Sequence, residues 1–168
     1  MRLEGKNGLV TAAGSGMGRA GAIRFAKEGA VVEEIEEAGG KAVGIVADLT
    51  KDEDSKRIVR ETANALGGLD FVWNHVGHPG PASIEGIEMK DFELAMDLNL
   101  RTILVTTEAA IPEMKTRGGG AFLFTASTSG LQGSMFSPVY SMAKFGVVGF
   151  ARALAGRLAA NNIRSNVV

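Results

Sequence analysis

Short β-prone runs alternate along this chain with segments of helical periodicity, the pattern of strands joined by crossover helices in a parallel sheet. Residues 8–11, 42–47, 71–74, 121–125 and 163–168 read as strands, and 17–28, 52–66, 91–115 and 139–161 as helices. The 42–47 run, AVGIVA, is apolar throughout and suits a strand buried on both faces. The 52–66 segment instead sets charged residues on one side and Ile58, Val59, Ala63 and Leu66 on the other. With 168 residues and no internal repeat, the expectation is one α/β domain over 1–168. One stretch breaks the alternation. Only eleven residues, 30–40, separate Gly29 from Lys41, too few for a strand of about five residues and a helix of about eleven with their turns. Either this unit is shortened or the sequence is part of a longer chain. We expect the latter, because this gap and the end at Val168 both fall where bound ligands order such chains.

Composition narrows the function. Eighteen basic side chains face nineteen acidic ones, a net charge of −1, so no electrostatic footprint for nucleic acid or an anionic membrane is present. There is no cysteine, which removes disulfides, thiolate nucleophiles and cysteine-based zinc sites. Residues 1–9 are polar and no run approaches 18 apolar residues, so the expected location is cytoplasmic. Glycine is the outlier, at 23 residues, and marks places where backbone turns tightly or approaches something closely.

Two segments carry chemistry. Thr11-Ala12-Ala13-Gly14-Ser15-Gly16-Met17-Gly18 joins a strand to a helix, where unpaired N–H groups and the positive dipole end favour a phosphate or dinucleotide. No Gly-Lys-Ser/Thr follows, so it is not a P-loop, and a tight structural turn is the bland alternative. Tyr140-Ser141-Met142-Ala143-Lys144 sets a phenol and an ammonium one helical turn apart. An ammonium beside a phenol favours its ionised form and suits it to acid-base work; an ordinary surface pair is the alternative.

Taken in order, these segments and those between them resemble the classical short-chain dehydrogenase/reductase family. The family's Thr-Gly-x-x-x-Gly-x-Gly is similar to 11–18, its Asn-Asn-Ala-Gly to Asn74-His75-Val76-Gly77, and its Tyr-x-x-x-Lys to Tyr140 and Lys144. Its aspartate after the third strand resembles Asp48, its helix asparagine Asn99, and its serine Ser127, thirteen residues before Tyr140. The resemblance is nearest to 3-oxoacyl carrier-protein reductases and cyclic-alcohol dehydrogenases. It implies a doubly wound parallel sheet in a Rossmann-type three-layer sandwich, and hydride transfer between NAD or NADP and a secondary alcohol or ketone on a small or acyl-chain substrate. It further implies that Tyr140 exchanges the proton and Lys144 lowers its pKa and holds the nicotinamide ribose. Ser127 would orient the substrate oxygen, and Asn99 would anchor a water leading from Lys144, unless it is a buried bridging amide. Thr11, Gly14, Ser15, Gly16, Met17 and Gly18 would cradle the cofactor. Asp48, with Leu49 beside it, would meet the adenine, unless Asp48 caps the helix that follows. Asn74 and Gly77 would line the crevice.

Departures from the family pattern matter equally. Ala12 stands at the first glycine, adding a methyl group near the adenosine side, and His75 and Val76 replace Asn and Ala. His75 and His78 lack a third metal ligand, so no metal is expected. The residue choosing NAD or NADP belongs to the shortened 30–41 region, where Glu33 and Glu34 stay unassigned. Leu94, Leu98, Ile103, Phe145, Val148 and Phe150 divide between core and a subunit contact, and the resemblance implies a homodimer or homotetramer. A shortened or inactivated non-catalytic dinucleotide-binding subunit is the alternative function.

Overall fold

The computed structural model describes residues 3–27 and 43–168. Its elements are β1 (Gly8–Val10), α1 (Gly16–Lys27), α2 (Asp52–Leu66), β2 (Phe71–Asn74), α3 (Met89–Met96), α4 (Thr102–Thr116), β3 (Gly120–Phe124), α5 (Pro138–Leu158) and β4 (Ile163–Val167). The expectations that fall on 28–42 lie outside the described residues.

The four strands form one parallel sheet in the order β1-β2-β3-β4. Leu9, Val72, Phe122 and Ser165 share a row, and alternation puts Asn74 and Phe124 on the same face. Val72, Phe122 and Phe124 are fully buried there, against Ile58 and Val59 of α2, Ile103 and Met114 of α4, and Val147 and Ala151 of α5. The opposite face meets α1, whose Phe25 packs edge-on against Phe71 and Trp73 with ring centroids 5.3 and 5.5 Å away. Helices on both faces make this a doubly wound, three-layer α/β fold. Three acidic residues, Asp52, Glu53 and Asp54, open α2 where its dipole is positive. Among the described residues no helix is long and apolar enough to cross a membrane.

Two expectations require correction. Residues 43–47 are not a strand: Val43 and Val46 are exposed, and β1 pairs only with β2 among the described residues. A strand needs a neighbour's ladder, and here α2 takes those backbone groups instead. Arg57 Nη2 donates to the Val46 carbonyl at 2.9 Å, and the Asp48 N–H donates to Asp54 Oδ2 at 2.7 Å. The expected single helix over 91–115 is divided by a π turn, Asp97–Arg101, between α3 and α4. The extra residue rotates Asn99 inward, as such bulges do where side chains must be aimed.

Candidate active site

Parallel strands deliver their C-terminal ends to one edge of the sheet, and the chain leaving each strand there builds the candidate site. After β1 comes the glycine-rich turn. Thr11, 2% exposed, does not face outward: its Oγ1 accepts from the N–H groups of His75 (2.9 Å) and Val76 (3.2 Å), fixing the chain beyond β2. Ala12 adopts φ 54°, a left-handed conformation that costs an alanine about 1 kcal/mol and a glycine almost nothing. Gly14 and Gly16 border open space, whereas a Cβ on Gly18 would lie 2.4 Å from the Ala12 carbonyl and 2.9 Å from the His75 ring. Met17 is exposed at the start of α1, and that helix has no acidic residue in its first turn. The open cradle and the uncompensated helix end fit an anionic phosphate group.

Lys144 lies 2% exposed on α5. Its Nζ donates to the Thr125 carbonyl at 3.0 Å and sits 5.4 Å from the centre of the Tyr140 ring. No carboxylate pairs with it among the described residues, and burial pushes its pKa down to about 8. One N–H is engaged, which leaves two for a ligand. Asn99, fully buried, donates to the carbonyls of Ala95 (2.8 Å) and His78 (2.6 Å). It therefore bridges helix and loop. A Cβ at Gly77 would stand 3.0 Å from Asn99 Oδ1 and 3.2 Å from Lys144 Nζ, so glycine there leaves both polar groups facing one space.

Ser127 caps the short turn Thr128–Gly130, its Oγ accepting from the Ser129 N–H at 3.1 Å. The loop from this turn to α5 is tied down by the Ser134 N–H on Ser141 Oγ (2.9 Å) and by Ser137 Oγ on the Pro79 carbonyl (3.3 Å). Gly77, Asn99 and Lys144 thus converge, with Tyr140 one turn from Lys144 and Ser127 at the end of the neighbouring strand.

Three expected residues sit apart from that cluster. Asn74 is turned to the helical face, where its Oδ1 accepts from Thr106 Oγ1 at 2.7 Å and its Nδ2 has no partner among the described residues. Asp48 accepts from the N–H and hydroxyl of Thr50 at 3.0 and 2.7 Å, bonds that hold its carboxyl below the usual aspartate range. Leu49 packs on the core, and its carbonyl accepts from Thr102 Oγ1 at 2.6 Å. Thr125 and Trp73 are participants that sequence reasoning did not single out; the signal for them was a polar residue two before Ser127 and an indole two before His75.

The short chain dehydrogenase family model matches residues 6–168. An uncharacterized oxidoreductase of Thermotoga maritima is 34% identical over 182 residues, spanning all of this chain and 72% of the relative. A 3-oxoacyl-[acyl-carrier-protein] reductase of the same organism is 30% identical over 182 residues, spanning all of this chain and 74% of the relative. A short chain dehydrogenase from Burkholderia cenocepacia, solved in complex with NADP, superposes with a TM-score of 0.93 at 28% identity, covering 99% of this chain and 74% of that one. The arrangement of strand ends around a buried lysine and the match over nearly its whole length agree: the chain belongs to the short-chain dehydrogenase family.

Proposed function

We propose that this chain is an NAD(P)-dependent oxidoreductase interconverting a secondary alcohol and a ketone, with residues 1–168 as its dinucleotide-binding domain and a cytoplasmic setting. The observation that carries the reading is Lys144: an ammonium buried to 2% exposure beside Tyr140, with no carboxylate partner among the described residues. Burying a charge without a partner destabilises a fold, and such groups cluster where chemistry needs them.

When bound, NAD or NADP would supply the hydride chemistry, at nicotinamide C4. The chain's own residues do the rest. The turn over Gly14, Ser15, Gly16, Met17 and Gly18 takes the diphosphate on backbone N–H groups, and Thr11, whose own N–H goes to the Trp73 carbonyl, holds the turn in place. Asp48 and Leu49 stand on the adenine side, and Asn74 supports the crevice from beneath through Thr106. Lys144 directs its two free N–H groups toward the ribose hydroxyls, and its positive charge favours the phenolate of Tyr140 over the phenol. In the reducing direction Tyr140 gives its proton to the carbonyl oxygen as the carbonyl carbon gains hydride; in reverse it takes the alcohol proton. Ser127 donates to the same oxygen and orients it. Asn99, fixed by two carbonyls, keeps its Oδ1 toward the space it shares with Lys144 and there holds the water through which protons return.

Small alcohols or ketones, or acyl-chain relatives, are the substrate class. Leu94, Leu104 and Phe145 remain exposed, whereas Ile103 and Val148 are buried; the exposed set supports a homo-oligomer through α3, α4 and α5. The test follows NADH and NADPH oxidation with a panel of ketones. Turnover lost at least 100-fold in Tyr140→Phe supports the reading. Dinucleotide binding without turnover in either protein would favour a non-catalytic subunit.

A further inference from the structure

Beside Lys144 lies a polar cluster that the catalytic reading does not use. Thr125, at the end of β3, has every polar atom engaged. Its N–H donates to the Asn74 carbonyl at 3.0 Å, and its carbonyl accepts from Lys144 Nζ at 3.0 Å. Its Oγ1 lies 2.9 Å from Trp73 Nε1 and 2.8 Å from His75 Nδ1. An indole N–H can only donate, so Oγ1 accepts from Trp73 and its own hydrogen is free for His75 Nδ1. Where that hydrogen is given to Nδ1, His75 is the neutral tautomer with its proton on Nε2. The rest of the imidazole is partly covered. Its ring centre is 4.8 Å from that of Trp73, Gly18 of the glycine-rich turn leaves no room for a Cβ against it, and Thr11 takes its backbone N–H. Of these neighbours from β1, α1, β2, β3 and α5, only Lys144 is charged.

We propose that His75 is a positioning residue: as a neutral imidazole wedged between the glycine-rich turn and Thr125, it fixes Thr125, and Thr125 fixes the ammonium of Lys144. Its role depends on its proton. Protonated, Nδ1 becomes a donor, the Thr125 hydroxyl loses its acceptor, and a second positive charge stands near Lys144. Burial and the Lys144 charge both hold the His75 pKa below the ordinary imidazole value, so the neutral form prevails at neutral pH. The family motif that 74–77 resembles carries asparagine at this position, so His75 puts a titrating group in its place.

This inference rests on the proposed function only where cofactor is involved, and its first test needs no turnover. Trp73 is the single tryptophan of the chain, and a protonated imidazole in ring contact quenches indole emission. Acidifying the protein alone is expected to lower Trp73 fluorescence in one step, with a midpoint below that of an ordinary histidine. The step disappears in His75→Asn and moves to higher pH in Lys144→Met, where the opposing charge is gone. The functional arm measures NADPH and NADH affinity by calorimetry. Wild-type affinity weakens several-fold across the step, whereas His75→Asn holds its neutral-pH affinity throughout. A step that persists in His75→Asn, that stays put in Lys144→Met, or that cofactor affinity ignores overturns the proposal. If neither dinucleotide binds at any pH, the functional reading fails instead, and the response to Lys144→Met still decides whether His75 and Lys144 are coupled.

Discussion

The two ends of the sheet solve the same electrostatic problem differently. At the end where β2 begins, Asp70 is 8% exposed but accepts from the Asn7 N–H at 2.9 Å, Arg117 Nη2 at 3.0 Å and Lys6 Nζ at 3.3 Å. Burial pushes its pKa up, and these three partners together outweigh that and hold it below the usual aspartate value. At the other end Lys144 is buried without a counter-charge, Ala12 is held left-handed, and the Asn74 amide nitrogen has no partner, all among the described residues. The unpaired charge thus lies at the end where the strands open toward ligand, while the buried charge at the far end is satisfied; left-handed backbone occurs at both, since Asn162 before β4 has φ 56°. The contrast separates residues kept for the fold from residues kept for chemistry.

The largest expected effect comes from breaking the satisfied end. Asp70→Ala leaves Arg117 and Lys6 without their anion and should destabilise the chain by about 3 kcal/mol, read by denaturant unfolding. The sign with pH follows from the lowered carboxylate. Its stabilising contribution is complete above the unfolded carboxyl pKa and is lost as pH falls through the folded value, so Asp70→Asn should flatten acid unfolding relative to wild type. Gly77→Ala sharpens the contrast at the open end. A methyl group 3.0 and 3.2 Å from Asn99 and Lys144 should cut turnover about tenfold or more, with a smaller change in the unfolding midpoint. The smallest effect is Ala12→Gly, which should stabilise by about 0.5–1 kcal/mol by relieving the left-handed alanine, read from the shift in thermal midpoint.

How much of this was legible depended on whether a feature is local. The strands 71–74 and 121–125 and the helices 52–66 and 139–161 follow from periodicity, because one buried face imprints itself on consecutive residues. The 43–47 run carries the same apolar signal yet is no strand, since a ladder partner is not encoded in the run itself. The π turn escaped notice because a helical pattern does not register one added residue. Of the candidate site residues, helix spacing puts Tyr140 and Lys144 one turn apart, but their proposed roles, like that of Ser127, come from the family resemblance. Asn74 was readable in principle: strand alternation puts it with Val72, toward α4. Thr125 was not, because its place depends on four partners distant in sequence, Trp73, Asn74, His75 and Lys144.

The most direct test of the contrast is Lys144→Met, with stability and turnover measured on the same protein. The lysine's folded pKa, about 8, lies below that of an unfolded lysine, so the unfolded chain binds more protons between the two values. Wild-type stability should therefore rise with pH from about 8 toward the ordinary lysine value. The account predicts that Lys144→Met is more stable than wild type at neutral pH, that this advantage shrinks across that alkaline range, and that turnover is lost. A variant less stable than wild type at neutral pH would contradict it, placing Lys144 among the residues that hold the fold together.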